Sequence, residues 1–366
     1  MLFRSVSQSR YCIDKEFGKE RSWKIDLLEG YDYEFLENKG YSTFLPSFLR
    51  IVNPHITKRV DAFKPSMIIM YGWNYFSHLQ IMLKYKGKVP VIFRGDSTSI
   101  DDEDKSKLHL FFRYKLLKWV YRHTDFVFSP GSASDSYFRK CGIPASKIIR
   151  VPHAVDNTWF SGLTLKDASG IKEIKTELKL QDNDFVFLFA GKFIEKKNPI
   201  LLIDAFSVIA KEQSKVRLLI VGDGKLESVI RKRVQGLSED IYNRITILPF
   251  QDQPAMKKMY RIANFFVLPS KGPAETWGLS VNEALACGTP VLVSDRCGCA
   301  LDIVREGVNG FIFHSGNLES LITQMKKCCD KGNWEKFSRN ATSSVANFNF
   351  QVYKEAIDQL ICSIEN

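Results

Sequence analysis

Two glutamates, Glu275 and Glu283, flank the start of a predicted helix. They lie in Pro269–Pro290, between two short apolar runs, where Leu279–Ala286 holds good helix formers and Gly288 is a stop signal. A helix that starts after a parallel strand offers free N–H groups to a phosphate, and a carboxylate accepts two hydrogen bonds from a vicinal diol. The segment therefore predicts a diphosphate site with a diol on either side. The plain alternative is a helix cap and a surface glutamate.

Two further loops have the composition of ligand-binding turns. Gly191 and Lys192 directly follow an apolar run, Lys197 comes soon after, and Gly222-Asp223-Gly224 follows the next run. Glycine lets a ligand approach the backbone, and lysines neutralise phosphate as point charges. A solvated basic loop is the alternative, chiefly for Lys196. Three such loops at the strand ends of one sheet predict a pocket.

Short apolar runs alternate with helical patterns along the whole chain, which predicts an α/β fold with a doubly wound parallel sheet in each half. The break between the halves falls near Pro152–Gly162. The runs in the first half are Ser66–Tyr71, Val89–Arg94, Asp125–Ser129 and Lys147–Val151. Those in the second half are Phe185–Ala190, Val216–Val221, Arg244–Leu248, Asn264–Leu268, Pro290–Ser294 and Gly310–Phe313, with helices over Ile200–Glu212 and Lys225–Gln235.

The stretch from about Phe185 to Asp330 resembles a known family. Its pieces FLFAGKFIEKKNP, LLIVGDG, MYRIANFFVLPS, ETWGLSVNEALACGTPVLVSD and IVREGVNGFIF are similar in order and spacing to the donor domain of retaining GT-B glycosyltransferases of family four, the glycosyl transferases group 1. The resemblance implies two Rossmann-like domains that face a cleft. It also implies transfer of a sugar, with retention, from a nucleoside-diphosphate sugar to a glycan or lipid-linked acceptor, as in polysaccharide, lipopolysaccharide or capsule biosynthesis. No metal and no cofactor are expected.

The resemblance also implies roles for single residues. Glu275 would contact the donor sugar and count as catalytic, and Glu283 would bind the ribose. The remaining donor-binding residues would be Gly191, Lys192, Lys197, Gly222, Gly278, Leu279 and Ser280 around the diphosphate, and Phe250, within Pro249–Gln251, at the base.

The first half matches the family less well. The family opens with a strand and a glycine-rich loop, but here at most one weak strand is expected before Phe17, so the first strand–helix unit is predicted to be missing. We expect a shortened acceptor-side domain over residues 1–155, a donor-binding domain over 156–345, and a C-terminal helix over 346–366 that packs back toward the first domain. The alternative function is a sugar-nucleotide-binding protein with weak or no turnover.

Polar residues at two predicted strand ends are candidates for the acceptor side. Arg94 and Asp96 occupy the corner where the family often has a histidine, and they are predicted as catalytic residues, with a salt-bridged turn as the alternative. Trp73 and Asn74 end the preceding run and could line the acceptor cleft, although a buried structural tryptophan fits the pattern as well.

The basic surplus lies in the first half. Residues 1–150 hold 25 Lys and Arg against 16 Asp and Glu. Lys105–His123 has six basic and no acidic residues, and two apolar stripes at helical spacing: Leu108, Phe112, Leu116 and Trp119, and Leu110, Tyr114, Leu117 and Tyr121. One stripe suffices to pack the helix on its sheet. We expect the other to meet either more protein or an anionic membrane surface.

Other partners and compartments are not favoured by the sequence. There is no aromatic platform or zinc finger for nucleic acid, and the eight scattered cysteines fit reduced thiols better than a metal site. No apolar run is long enough to span a bilayer, and no secretory signal is evident at the start. We expect a cytoplasmic protein, peripheral at the inner membrane face if the basic helix binds there.

Overall fold

The computed structural model describes residues 2–4, 11–14, 19–22, 29–40, 47–103, 105–272, 275–330 and 332–365. They divide into two compact units. The first unit comprises Met1–Val151 with Ala356–Asn366, and the second comprises Pro152–Glu355. Each unit is built on a parallel sheet, as the alternation of apolar runs and helical patterns predicts.

The sheet of the first unit has four parallel strands in the order β5-β6-β7-β8. Strand β6 is buried along its whole length, because helices cover the faces of such a sheet. The strands of this unit are β1 (Leu2–Arg4), β2 (Tyr11–Asp14), β3 (Lys19–Ser22), β4 (Tyr33–Phe35), β5 (Ile68–Tyr71), β6 (Val91–Arg94), β7 (Phe126–Ser129) and β8 (Ile148–Arg150). Its helices are α1 (Ile56–Phe63), α2 (Phe76–Tyr85), α3 (Lys107–Tyr121) and α4 (Ser132–Lys140).

The start of the chain differs from the prediction of at most one weak strand before Phe17. Strands β1 and β2 both precede that residue, β2 forms an antiparallel pair with β3, and β1 pairs in parallel with β4. The expectation was wrong because these strands are only three or four residues long and each ends in a charged residue, so that no apolar run of ordinary strand length marks them. Among the described residues before β4, the connection carries a hairpin where the family resemblance implied a helix.

A serine cap and a buried aspartate hold the start of helix α3. Its N-cap is Ser106, whose hydroxyl accepts a hydrogen bond from the amide of His109 at 3.3 Å. Asp102, which precedes the helix, is 2% exposed and binds side chains of the helix region. It accepts hydrogen bonds from Lys105 Nζ at 2.8 Å and the Tyr114 hydroxyl at 2.6 Å. The acidic residue therefore anchors the helix from its side.

The two apolar stripes of α3 have different surroundings. Leu117 and Tyr121, with the neighbouring Val120, are buried in the core of the first unit. The residues of the other stripe remain exposed, with fractions of 68% for Leu108, 62% for Phe112, 48% for Leu116 and 42% for Trp119.

The second unit contains a six-stranded parallel sheet in the order β11-β10-β9-β12-β13-β14. Its strands are β9 (Phe185–Ala190), β10 (Val216–Val221), β11 (Ile245–Leu248), β12 (Phe265–Leu268), β13 (Val291–Ser294) and β14 (Gly310–Phe313). The chain starts in the middle with β9, proceeds to one edge, and then returns to continue from β12 to the other edge. This is the doubly wound order, with its switch point between β9 and β12.

Helices cover both faces of this sheet, so its strands are apolar on both sides. Alternate side chains of β9 enter two separate cores: Val186 and Leu188 enter one, and Phe187 and Phe189 the other. The helices are α5 (Asn157–Ser161), α6 (Leu165–Glu177), α7 (Pro199–Glu212), α8 (Glu227–Gln235), α9 (Glu239–Tyr242), α10 (Gln253–Ile262), α11 (Leu279–Ala286), α12 (Ala300–Ile303), α13 (Leu318–Cys328), α14 (Asn333–Ser344) and α15 (Phe350–Glu365), the last of which continues into the residues grouped with the first unit.

The predicted α/β class with parallel sheets is confirmed, and the apolar runs coincide with β5 to β14 to within two residues. Within the described part of the chain, no helix is both long and apolar enough to span a bilayer.

Candidate functional site

The candidate site of the second unit lies at the carboxyl ends of β9 and β12. These strands are neighbours in the sheet, but the chain leaves them toward opposite edges. A crevice for a ligand opens at such a switch point. The loop after β9 contains Gly191 and Lys192 and leads to Lys197, while the loop after β12 contains Ser270 and Glu275. The fold thus brings together residues that the sequence separates by about eighty positions.

Glu275 and Lys197 form an ion pair across the switch point. Lys197 Nζ lies 2.7 Å from Glu275 Oε2, and the side chains are only 15% and 7% exposed. The Ser270 hydroxyl donates to the same carboxylate oxygen at 2.9 Å, and the Glu275 carbonyl accepts the amide of Gly298 at 3.0 Å. A buried pair with an additional hydrogen bond is held in one orientation. Two residues that were assigned separately, one to the sugar and one to the diphosphate, are therefore in direct contact.

Helix α11 starts directly beside this pair. Gly278 is its N-cap residue and has φ of +100°, a conformation that strains any residue with a side chain. A Cβ at Gly278 would lie 3.1 Å from Leu268 Cδ2. None of the described side chains caps this helix. The Val281 amide donates to the Gly278 carbonyl at 2.9 Å, so the amides of Leu279 and Ser280 are the ones available to an anionic ligand. Leu279 is 44% exposed and Ser280 is half-buried.

Glu283 lies one turn into α11 and has a neutral partner. The Tyr260 hydroxyl donates to Glu283 Oε2 at 2.8 Å. Burial raises the pKa of Glu283 to about 6, although the tyrosine hydrogen bond acts in the opposite direction. Tyr260 is itself fixed, because the Thr289 hydroxyl donates to its carbonyl at 2.6 Å. This carboxyl therefore changes its charge close to neutral pH.

The glycines of the other two loops have a packing role that the sequence did not indicate. A Cβ at Gly222 would lie 2.0 Å from the Gly191 carbonyl oxygen, and one at Gly224 would lie 2.8 Å from the Phe193 carbonyl oxygen. The loops after β9 and β10 thus touch backbone to backbone, which requires glycine. Lys192 is half-buried in the first loop, and Phe250 is 51% exposed after β11.

The predicted acceptor-side residues lie together in the first unit. Trp73 and Asn74 follow β5, Arg94 ends β6, and Asp96 follows it. The two strand ends are adjacent, since the Gly72 amide donates to the Arg94 carbonyl at 3.2 Å. Arg94 is 7% exposed, and its guanidinium donates to the Val151 carbonyl.

The environments of the other three residues differ. Trp73 packs against the core, in agreement with the structural alternative. Asp96 is half-buried and Asn74 is exposed.

Several residues at the donor-side site were not predicted from the sequence. Ser270 and Tyr260 bind the two glutamates. Trp277 Nε1 donates to Asn282 Oδ1 at 2.9 Å, and both side chains are buried. Ser270 and Trp277 stand inside the loop motif and could have been found there, but Tyr260 comes from another helix. Among the described residues, no group of three His, Cys, Asp or Glu side chains could hold a metal ion.

The chain is similar to known protein families and relatives over part of its length. Residues 170–344 match the family described as glycosyl transferases group 1. Over 258 residues, the chain is 25% identical to alpha-monoglucosyldiacylglycerol synthase of Streptococcus pneumoniae, which covers 67% of this chain and 56% of that relative. Over 143 residues, it is 34% identical to D-inositol 3-phosphate glycosyltransferase of Gordonia bronchialis, covering 37% of this chain and 31% of the relative. The chain thus covers less than two thirds of either relative.

Solved structures extend the similarity of fold to most of the chain. HepE of Anabaena, solved in complex with UDP, matches with a TM-score of 0.70 at 20% identity, over 90% of this chain and 86% of HepE. Sucrose-phosphate synthase of Thermosynechococcus elongatus matches with a TM-score of 0.66 at 19% identity, over 92% and 89% of the two chains. At these identities the similarity shows the fold alone, which is the GT-B-like class with two Rossmann-like parallel-sheet units. Residues 170–344 are thus similar to the glycosyl transferases group 1.

Proposed function

We propose that this protein transfers a sugar from a nucleoside-diphosphate sugar to a glycan or lipid-linked acceptor. The observation that carries the proposal is the buried Lys197–Glu275 pair at the switch point, beside the uncapped start of α11 and within the residues that match the family. A cation, free amides and a carboxylate at one sheet edge suit a diphosphate that is linked to a sugar.

In this proposal each part of the site binds one part of the donor. Lys192, Lys197 and the first amides of α11 hold the diphosphate, and Glu283 accepts hydrogen bonds from the ribose hydroxyls. The exposed ring of Phe250 contacts the base, and Glu275 binds the hydroxyls of the sugar that reacts. We further propose that the anomeric configuration is retained and that no metal ion is needed, because lysines and helix amides supply the positive charge at the diphosphate.

The names of related proteins suggest the first substrates to test. HepE has been solved with UDP-glucose, and relatives are named for diacylglycerol, inositol 3-phosphate and poly(glycerol-phosphate) acceptors. We therefore propose UDP-sugars as donors and a polar or lipid-linked hydroxyl compound as the acceptor. For the acceptor side we propose Arg94 and Asp96, at the carboxyl end of β6, with Trp73 and Asn74 after the neighbouring strand β5.

The decisive experiment measures turnover with a panel of UDP-, GDP- and ADP-sugars in the presence of a metal chelator. Release of the nucleoside diphosphate that depends on an acceptor would support the proposal, and product stereochemistry by NMR would test retention. Binding without turnover for every acceptor class would favour the alternative, a sugar-nucleotide-binding protein. The short strands and hairpin that stand where the family has a strand–helix unit motivate this alternative.

We also propose that α3 brings the enzyme to the cytoplasmic face of a membrane. Five large apolar side chains of this helix, the four of the exposed stripe and Phe111, are exposed in a segment with six basic and no acidic residues. Such a surface binds anionic lipid through both its apolar area and its charge. A lipid-linked acceptor would then be within reach of an enzyme held at the surface.

Vesicle co-sedimentation tests the membrane contact. Binding is expected to need phosphatidylglycerol, to weaken with salt, and to be lost when Phe112 and Leu116 are both changed to Ser. The matched control is Leu165→Ser, which removes a leucine that is 93% exposed in the second unit. Equal sedimentation with neutral and anionic vesicles, or loss of binding in the control variant as well, would contradict the proposal.

A further inference from the structure

A cavity of about 710 Å³ opens beside the last two turns of α3. Its walls come from this helix and from the segment between α4 and β8. Both precede strands, so the cavity lies at the amino ends of β7 and β8, whereas Arg94 and Asp96 lie at the carboxyl end of β6. A ligand bound there would occupy a different edge of the sheet from the residues proposed for the acceptor.

The lining of this cavity is strongly cationic. It includes Lys115, Lys118, Arg122 and Lys147, and no aspartate or glutamate. Among the residues that the structure describes, none of these four cations lies within ion-pair distance of a carboxylate, and the nearby Asp125 is already paired with Lys86. Four uncompensated positive charges around one cavity create a potential that attracts an anion.

The remaining lining does not offset this charge. Cys141 is buried in the wall, and burial raises the pKa of its thiol to about 12, so that it is neutral at physiological pH. Gly142 has φ of +90°, and a Cβ there would lie 3.2 Å from Lys118 Cγ and Cδ. The absence of a side chain at Gly142 lets the stem of Lys118 lie across the loop, which holds the ammonium group beside the cavity.

An apolar surface adjoins the cationic one. Trp119 contributes to the lining and is 42% exposed. Leu116, which follows Lys115 in the sequence, is 48% exposed. A free inorganic anion would use only the cations. A membrane lipid presents both a phosphate and acyl chains, and would use both surfaces.

We propose that this cavity binds the phosphate-bearing headgroup of an anionic membrane lipid, with Lys118, Arg122 and Lys147 around the phosphate and Trp119 against the glycerol and upper acyl region. This proposal extends the membrane contact that we proposed for α3. The biological role of the headgroup site depends on that contact. It adds a defined site for one lipid molecule, apart from the donor and acceptor residues.

A soluble lipid separates headgroup recognition from attachment to a bilayer. Dihexanoyl-phosphatidylglycerol, kept below its micelle concentration, is titrated into the whole protein and followed by calorimetry, with dihexanoyl-phosphatidylcholine and inorganic phosphate as the other arms. We expect saturable binding of one phosphatidylglycerol per chain, and weaker binding of the other two probes. Equal affinity for inorganic phosphate would overturn the lipid assignment in favour of a free anion.

Charge reversal then locates the site. Lys118→Glu combined with Arg122→Glu is expected to weaken phosphatidylglycerol binding about ten-fold or more, and Lys147→Glu, outside the helix, is expected to weaken it as well. The matched control reverses two exposed lysines, one in α1 and one directly after it, Lys58→Glu with Lys64→Glu, and should bind like the wild type. Equal weakening in the control, no weakening in the first pair, or no binding of phosphatidylglycerol by the wild type would overturn the proposal.

Two further measurements distinguish loss of the headgroup site from unfolding of a variant and from loss of the vesicle contact. A thermal unfolding transition like that of the wild type, followed by circular dichroism, shows that each variant is folded whether or not the second unit binds UDP. The Phe112→Ser and Leu116→Ser variant should lose vesicles but keep the soluble lipid. Soluble phosphatidylglycerol that binds while vesicles do not would contradict the membrane contact and leave the headgroup site standing.

Discussion

At the scale of single residues, the two glutamates of the candidate site differ in the charge of their hydrogen-bonding partners. Glu275 is paired with the cation of Lys197 and accepts a hydrogen bond from Ser270. Among the described residues, Glu283 is bound by the neutral hydroxyl of Tyr260, and burial raises the pKa of Glu283. A carboxylate held beside a cation is suited to a place where charge develops. A carboxylate that is bound only by a hydroxyl keeps acceptor capacity for a diol while it is ionised.

The first prediction follows from the position of Glu275. Glu275→Gln keeps the shape of the side chain but removes the charge that faces the reacting sugar, so turnover should fall by about 100-fold. The affinity for UDP should change by less than about three-fold, because the nucleotide is bound by other residues. The variant Glu239→Gln, at an exposed position on α9, is the control. Equal losses of UDP affinity and turnover would mean that Glu275 only supports the fold.

Lys197→Ala should behave differently from Glu275→Gln. It removes a charge from the diphosphate site, so free UDP and intact donor should both bind more weakly. It also leaves the buried Glu275 carboxylate without its cation, which should lower the free energy of unfolding by about 3–5 kcal/mol. Chemical denaturation measures this loss, and combining Lys197→Ala with Glu275→Gln should recover part of it. A simple sum of the two single effects would argue against the ion pair.

The pKa of Glu283 leads to a prediction about pH. Its value of about 6 lies above the ordinary glutamate value of 4.5. The protonated form is thus favoured in the folded protein, and this contribution to stability is present below pH 4.5 and is lost as the pH rises through 6. An ionised carboxylate binds a diol better than a neutral one, so donor affinity should increase between pH 5 and 7.

The measurement uses UDP-glucose, because its diphosphate does not titrate in this range as free UDP would. Affinity is followed by calorimetry at several pH values in the wild type and in Glu283→Gln. The variant should bind more weakly at pH 7, and its affinity should be nearly independent of pH. A pH dependence that persists in the variant would have to come from another group.

At the scale of elements, the start of α11 depends on one backbone conformation. Gly278→Ala would place a side chain at φ of +100° and 3.1 Å from Leu268, at a cost of about 1–3 kcal/mol. Because this residue sets the direction of the first amides, affinity for UDP should fall along with stability. Gly236→Ala is the control, since Gly236 ends α8 with φ of −80° and nothing closer than 3.6 Å to the added Cβ. It should be neutral or slightly stabilising.

Helices and strands were predictable from the sequence where neighbouring residues mark both of their ends. Leu279–Ala286 was predicted as a helix and is α11, because a glycine before it and a glycine and proline after it mark both ends. The two stripes of α3 were predicted as well, but periodicity alone does not tell which stripe faces the sheet. The contact of Asp102 with Tyr114 settles the orientation, and such a tertiary contact has no signal in the local sequence.

At the scale of the whole molecule, the two units differ in how far the sequence specified them. The second unit has buried apolar strands with glycine loops after several of them, so its sheet was predictable. Its contacts between distant segments, such as Lys197 with Glu275 and Tyr260 with Glu283, were not, because they depend on the order of strands in the sheet. The first unit begins with strands of three or four residues, too short for a periodicity to mark them, and the prediction of at most one strand before Phe17 was wrong.

The two units also lead to a prediction about ligands, because each proposed ligand contacts only one of them. A ligand that binds the folded state raises stability by about 2.7 kcal/mol when its concentration is 100 times its dissociation constant. A UDP-sugar should therefore raise the melting temperature, and Glu283→Ala should remove most of the shift. Hydrogen exchange under the same conditions should slow at Gly191–Lys197 and around the start of α11, and remain unchanged in α3. Soluble phosphatidylglycerol should give the reverse pattern, with protection in α3 and in Cys141–Lys147. If UDP-, GDP- and ADP-sugars all leave the melting curve and the exchange of the second unit unchanged, the donor site has been assigned wrongly.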